Sequence, residues 1–111
     1  MKSSRVSSSQ LRFAAPARET LDLLSGSTQY ATKLWKVRRA LGLLQINPRH
    51  PGLHSHRYEN FPGAPKTKVW DSYVENRAPG AWRIWWTYGP DEIRDNQTVA
   101  LISVLDIGPC P

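Results

Sequence analysis

His54 and His56 stand two residues apart, a spacing that would put both imidazoles on one face of a strand, where they could chelate a cation. No carboxylate or third histidine sits at a spacing that would complete a ligand set. No metal is therefore expected, and the two rings read as surface or phosphate-facing groups. Arg83 lies in an alternating run, with Trp82, Ile84 and Trp86 on one face and Arg83 and Trp85 on the other. Arg77 precedes it across a turn at Ala78-Pro79-Gly80. Two acids lie close in sequence: Asp71 and Glu75 are both possible salt-bridge partners for Arg83, and Glu75 reads either as a base or as a surface charge. Cys110 is the one thiol. The chain has no Gly-rich phosphate loop, no Ser-His-Asp order and no paired carboxylates, so those chemistries are set aside.

Charge says where an anionic partner would approach. The chain has 111 residues, enough for one small domain, with 15 Lys and Arg against 9 Asp and Glu, a net charge of +6. Residues 28–57 hold Lys33, Lys36, Arg38, Arg39, Arg49, Arg57 and all 3 histidines, with no acid. This block reads either as a solvated helix face or as an anion-facing surface. One cysteine excludes an internal disulfide framework and a Cys-based zinc cluster. The longest nearly apolar run, Val99 to Leu105, is too short to span a bilayer. Residues 1–10 are polar and Ser-rich and read as a flexible tail without a secretion signal, so a cytoplasmic protein is expected.

The elements that must position these residues change period midway. Leu11 to Ala14 is expected as a short strand. Pro16 suits the start of a helix that Gly26 would stop, with Ala17, Leu21 and Leu24 on one face. A second helix begins near Ser27 or Thr28, and Tyr30, Leu34, Val37, Leu41 and Leu44 form its apolar stripe, with Lys36 and Arg39 opposite. Asn47-Pro48 ends it. Strands are then expected over Leu53–Glu59, Val69–Arg77, Trp82–Tyr88 and Thr98–Ile107, the last apolar on both faces as in a central strand. The reading is α+β: a helical hairpin on one face of a small antiparallel-rich sheet, in a single domain over residues 11–111.

This order of strand, helical hairpin and antiparallel sheet resembles the RelE/ParE superfamily of toxin–antitoxin toxins. Three stretches carry the resemblance: Arg38-Arg39-Ala40-Leu41-Gly42-Leu43-Leu44 leading into Asn47-Pro48-Arg49-His50-Pro51-Gly52-Leu53, the strand Ala81-Trp82-Arg83-Ile84-Trp85-Trp86, and the closing Val104-Leu105-Asp106-Ile107-Gly108-Pro109. The RelE branch implies a ribosome-dependent, metal-independent endoribonuclease that cuts mRNA. That chemistry needs a base for the ribose 2′-hydroxyl, a cation for the phosphoryl oxygens and an acid for the leaving 5′-oxygen. The resemblance makes Arg83 the cation, since a guanidinium holds two phosphate oxygens and stays charged. Arg77 is the second cation and Cys110 the third catalytic candidate. Trp85, Arg57, Lys36, Arg39, His54 and His56 become the RNA-contacting candidates, Trp85 either stacking on a base or packing in the sheet. The implied partners are an acidic antitoxin protein and mRNA on the ribosome, with no small-molecule cofactor and no membrane.

The chain departs from the family pattern at its end. Relatives place a histidine after the last strand, where this chain reads Gly108-Pro109-Cys110-Pro111. A thiol, with an ordinary pKa of about 8.5, matches neutral proton transfer less well than imidazole, and nearby arginines would favour the thiolate. A ParE-like inhibitor that binds a protein such as DNA gyrase, or a catalytically inactive relative that binds an antitoxin, would tolerate that change.

Overall fold

The computed structural model describes residues 9–64, 66–76 and 78–111. They form β1 (Gln10–Phe13), α1 (Ala15–Ser25), α2 (Ala31–Ile46), β2 (His56–Tyr58), β3 (Val69–Tyr73), β4 (Trp82–Tyr88), β5 (Glu92–Arg94), β6 (Gln97–Val99) and β7 (Leu101–Pro109). The class is α+β. Five strands make a mixed sheet in the order β1-β7-β4-β3-β2, with β1 parallel to β7 and every other pair antiparallel. Residues 1–8, most of the expected tail, lie outside the described residues. Gln10 already pairs in β1, and the Ser9 N–H donates to the Gln45 carbonyl at 3.0 Å.

The helical hairpin forms as the capping residues and apolar spacing require. Pro16 lies in the first turn of α1, where its missing N–H costs nothing. Gly26 ends the helix at φ −85°, so the left-handed glycine stop is not used. Instead Ser27 turns extended and its hydroxyl accepts the Gln29 N–H at 3.4 Å, opening a short 3-10 turn that leads directly into α2. Val37, Ala40, Leu41 and Leu44 face inward from α2 and meet Ala17 and Leu24 of α1. Trp35, off the stripe, is 64% exposed.

The sheet presents Ile84, Trp86, Ile102, Val104 and Ile107 to this helical layer, joining one core. Val104 and Ile107 are three apart, which strict alternation would put on opposite faces. A bulge resolves this: Trp85 pairs with Asp106 while Trp86 pairs with Val104, leaving Leu105 as an extra residue on β7. The expected Thr98–Ile107 strand is in fact two, broken at Ala100. Its first part is β6, which folds back on β5 through Asp95 and Asn96, both at positive φ (51° and 64°), the conformation of a tight two-residue hairpin turn. The expected Leu53–Glu59 strand shrinks to β2, because Leu53 closes a 3-10 turn (Pro51–Leu53) and is fully buried. Regular pairing in β3 stops at Tyr73, after which the Val74 and Glu75 N–H groups both bond the Trp82 carbonyl. Among the described residues no helix is long and apolar enough to cross a membrane.

The core register makes a stability prediction. Leu44 is fully buried and Leu23 is 61% exposed. Leu44→Ala should lower the unfolding free energy by about 2–5 kcal/mol, whereas Leu23→Ala should stay within about 0.5 kcal/mol. Urea unfolding of both variants measures the difference; equal losses would contradict the packing of α2.

Candidate anion-binding cleft

Strand pairing brings an ionic row onto the sheet face opposite the helices. Asp71 of β3 lies across from His56 of β2, and Tyr73 lies across from Arg83 of β4. Asp71 is only 2% exposed. Its Oδ2 sits 3.4 Å from Arg83 Nη1, and its Oδ1 sits 2.9 Å from His56 Nε2. The His56 contact is close but out of line for a hydrogen bond, and it is an ion pair only when the ring is protonated. His56 Nδ1 lies 3.0 Å from the His54 carbonyl oxygen, which can only accept, so Nδ1 carries a proton. The Asp71 contact is attractive only when Nε2 carries one too. Burial pushes the Asp71 carboxyl above its ordinary pKa, and the His56 and Arg83 charges pull against that rise without cancelling it.

Arg83 is therefore held from behind and beside. Its guanidinium carbon lies 3.9 Å from the Tyr73 ring centroid, a cation–π contact, and its Nε is buried without a partner. In front of it opens a cleft of about 530 Å³, lined by His54, Tyr73, Asn76, Arg83, Cys110 and the turn Ala78–Ala81. His54 takes φ +48° to cap the Pro51–Leu53 turn, which brings its ring to 5.0 Å from Tyr73. The Cys110 N–H donates to the Ala81 carbonyl at 2.9 Å, fastening the chain end to the start of β4 at the cleft. The cleft thus gathers a fixed guanidinium, an imidazole, a phenol and a thiol around a volume able to hold a phosphate and its sugar.

The structure collects only part of the expected set. Arg83, His54 and Cys110 meet in the cleft, and His56 stands behind it. Arg77 lies outside the described residues. Trp85 is on the expected face but only 5% exposed, packed edge-to-face against Tyr58, whose ring meets Phe61; base stacking there would require that loop to lift. Arg57 points to the opposite sheet face, 5.8 Å from the Trp70 ring centroid. Lys36 and Arg39 line a separate hollow across the 76–81 turn. Lys33 and Lys36 are paired with Glu75 at 2.9 and 3.3 Å, and Arg57 with Glu59 at 3.5 Å. Three of the six basic side chains of the block are thus paired with two acids from beyond it; Arg38, Arg39 and Arg49 have no ion pair among the described residues. Glu75 resolves as a structural group, because it also accepts the Trp82 N–H at 3.1 Å. Burial alone would raise its pKa, but Lys33, the Trp82 N–H and Lys36 together hold it below the ordinary glutamate range.

Sequence reasoning did not find Tyr73 or Asn76 as site residues and weighed Asp71 only as a salt-bridge partner. The missing signal was the register across the 74–81 connection, which places Tyr73 opposite Arg83. No protein-family model, no curated protein and no solved structure matches this chain.

The two acids pull the pH dependence of stability in opposite directions. Glu75 titrates lower in the folded state, so its stabilisation is present above the unfolded pKa and is lost as pH falls through the folded one. Asp71 titrates higher when folded, so its contribution is present below the unfolded pKa and is lost as pH rises through the folded one. Urea unfolding across the acid range should give Asp71→Asn a steeper rise of stability with pH than the parent, and Glu75→Gln a shallower one. Parallel shifts of both profiles would contradict the assigned environments.

Proposed function

We propose that this protein is a RelE/ParE-type toxin acting as a ribosome-dependent, metal-independent endoribonuclease on mRNA. The observation that supports this reading most is the convergence of Arg83, Tyr73, His54 and Cys110 on one open cleft, with Arg83 braced by the buried Asp71. A guanidinium anchored in this way keeps its outer edge aimed at an incoming phosphate and need not reorganise as charge builds. In the reaction the ribose 2′-oxygen attacks phosphorus, its proton passes to the His54 imidazole, and the P–O5′ bond breaks. The departing 5′-oxygen takes a proton, with the Cys110 thiol and the Tyr73 hydroxyl as the donors at hand, leaving a 2′,3′-cyclic phosphate. Arg83 carries the phosphoryl charge throughout.

Arg38, Arg39 and Arg49 supply the basic surface for an acidic antitoxin, whose charge complements them and whose association should slow with salt. One observation favours a second reading, a ParE-like inhibitor that binds a protein target. Cys110 stands where the family places an imidazole, which weakens proton transfer but would not affect binding.

The test is mapping of new RNA 5′ ends on purified translating ribosomes. Because Arg83→Ala alone would leave the buried Asp71 with only the half-exposed His56 as a partner, the informative variant is the pair Arg83→Gln with Asp71→Asn. It should keep its fold and cut about a hundred- to a thousandfold more slowly. Cys110→His should cut faster than the parent. Unchanged cutting by the paired variant overturns the assignment of Arg83. Growth arrest without any cutting transfers the function to the protein-binding reading.

A further inference from the structure

A second hollow, on the helix side of the sheet, is built like a nucleotide site. It has a volume of about 540 Å³ and is walled on one side by Trp70, Trp86 and Tyr88, on the other by Arg49, His50 and Ser55. The aromatic wall is rigid. Trp70 stacks on Trp86 at 6.1 Å, and Tyr88 meets both edge-to-face at 6.5 and 4.9 Å while remaining 53% exposed.

A directional hydrogen-bond chain ties the two walls together. The Trp86 indole N–H donates to Ser72 Oγ at 2.8 Å, and Ser55 Oγ donates to the Pro48 carbonyl at 3.1 Å. The 2.7 Å bond between the two hydroxyls must then run from Ser72 to Ser55. Arg49 and His50 are left to present donors to a ligand. His50 Nδ1 accepts the Gly52 N–H at 2.9 Å, so the neutral ring carries its proton on Nε2. Arg49 is exposed and has no ion pair among the described residues, and no carboxylate lines the hollow.

An exposed Tyr88 ring facing the Arg49 guanidinium and an imidazole N–H, with no carboxylate near, fits a ligand that is planar, acceptor-rich and anionic. We infer that this hollow is a second nucleotide subsite, in which a base of single-stranded RNA stacks on the exposed Tyr88 ring with its edge toward Trp70, while Arg49 and His50 hold its phosphate. The RNA identity of the ligand rests on the function proposed above; the demand for a planar anion does not. The loop from Asn47 to Ser55 lines both sites, with His50 at this hollow and His54 at the Arg83 cleft. One strand crossing the β2 edge would therefore meet both.

The experiment is binding of a labelled oligouridylate of about ten nucleotides at fixed low salt, read by fluorescence anisotropy. Tyr88→Ala, at an exposed position, should weaken binding about tenfold or more. Arg49→Ala should weaken it several-fold and reduce the salt slope by about one. Far-ultraviolet circular dichroism checks that both variants remain folded. If both bind like the parent, the subsite is overturned, whatever the paired Arg83 and Asp71 variant does. If both lose binding while that paired variant cuts ribosome-bound mRNA like the parent, the subsite stands and the assignment of Arg83 to cleavage is the one that fails. Equal displacement of the oligouridylate by polyglutamate, insensitive to Tyr88→Ala, would mean the hollow senses charge alone and would overturn its assignment to RNA.

Discussion

A carboxylate buried among sheet side chains cannot stay charged without partners, and Asp71 meets that demand with residues from two other strands. His56 comes from the edge strand β2 and Arg83 from the central strand β4. Removing Arg83 would leave the buried carboxylate with only the half-exposed His56 beside it, and desolvation of a poorly paired charge costs several kcal/mol, on the order of what a small domain can spare. The open face of the sheet is thereby committed to one arrangement of its cations. Arg83 cannot swing toward solvent without abandoning Asp71 and the Tyr73 ring together. The buried acid stabilises a particular site geometry more than it stabilises the fold.

The apolar side of the sheet makes that commitment possible. β4 has to send Arg83 to one face and Ile84 and Trp86 to the other, which its alternation achieves unaided. Its neighbour β7 has to match it with Ile102, Val104 and Ile107, whose spacing does not alternate. The extra residue at Leu105 absorbs the mismatch, so both strands bury the same face and β7 still carries Cys110 to the start of β4. Glu75 serves the same end from the helix side. By holding Lys33, Lys36 and the Trp82 N–H at once, it pins α2 against the entry to β4.

What the sequence made legible follows from how local each feature is. The helical hairpin and the two faces of β4 depend on residues within a few positions of one another, so periodicity reported them. The stripe from Tyr30 to Leu44 lies where its spacing put it, and Arg83 shares the open face with Trp85 as alternation required. Non-local facts were hidden. That Trp85 is sealed by Tyr58 depends on where the 59–68 loop returns. That Tyr73 sits under the Arg83 guanidinium depends on strand register across an irregular turn. The bulge at Leu105 made two faces of one strand read alike. The Asp95-Asn96 hairpin went unread because an apolar run directly after it suggested one long strand. Two of the six positive charges of the basic block are offset by Glu75 and Glu59, which lie outside it, and a count by segment cannot register that.

The loop between α2 and β2 serves both faces of the sheet. It leaves the helix at Asn47, whose side chain accepts the Arg49 N–H at 3.0 Å, and closes a 3-10 turn capped at one end by His50 and at the other by His54. A Cβ on Gly52 would come within 3.1 Å of the His50 ring, so any side chain there would push the ring a few tenths of an ångström off its own turn. His54 must adopt left-handed backbone to finish the same turn, and this directs its ring over Tyr73. Two imidazoles four residues apart are thus aimed at opposite faces of the sheet by one short turn. The turn is anchored below by Leu53 and laterally by the Ser55–Ser72 bond. Because that bond continues to the Trp86 indole, the loop that positions both imidazoles is tied to the aromatic wall through the buried Ser72 hydroxyl.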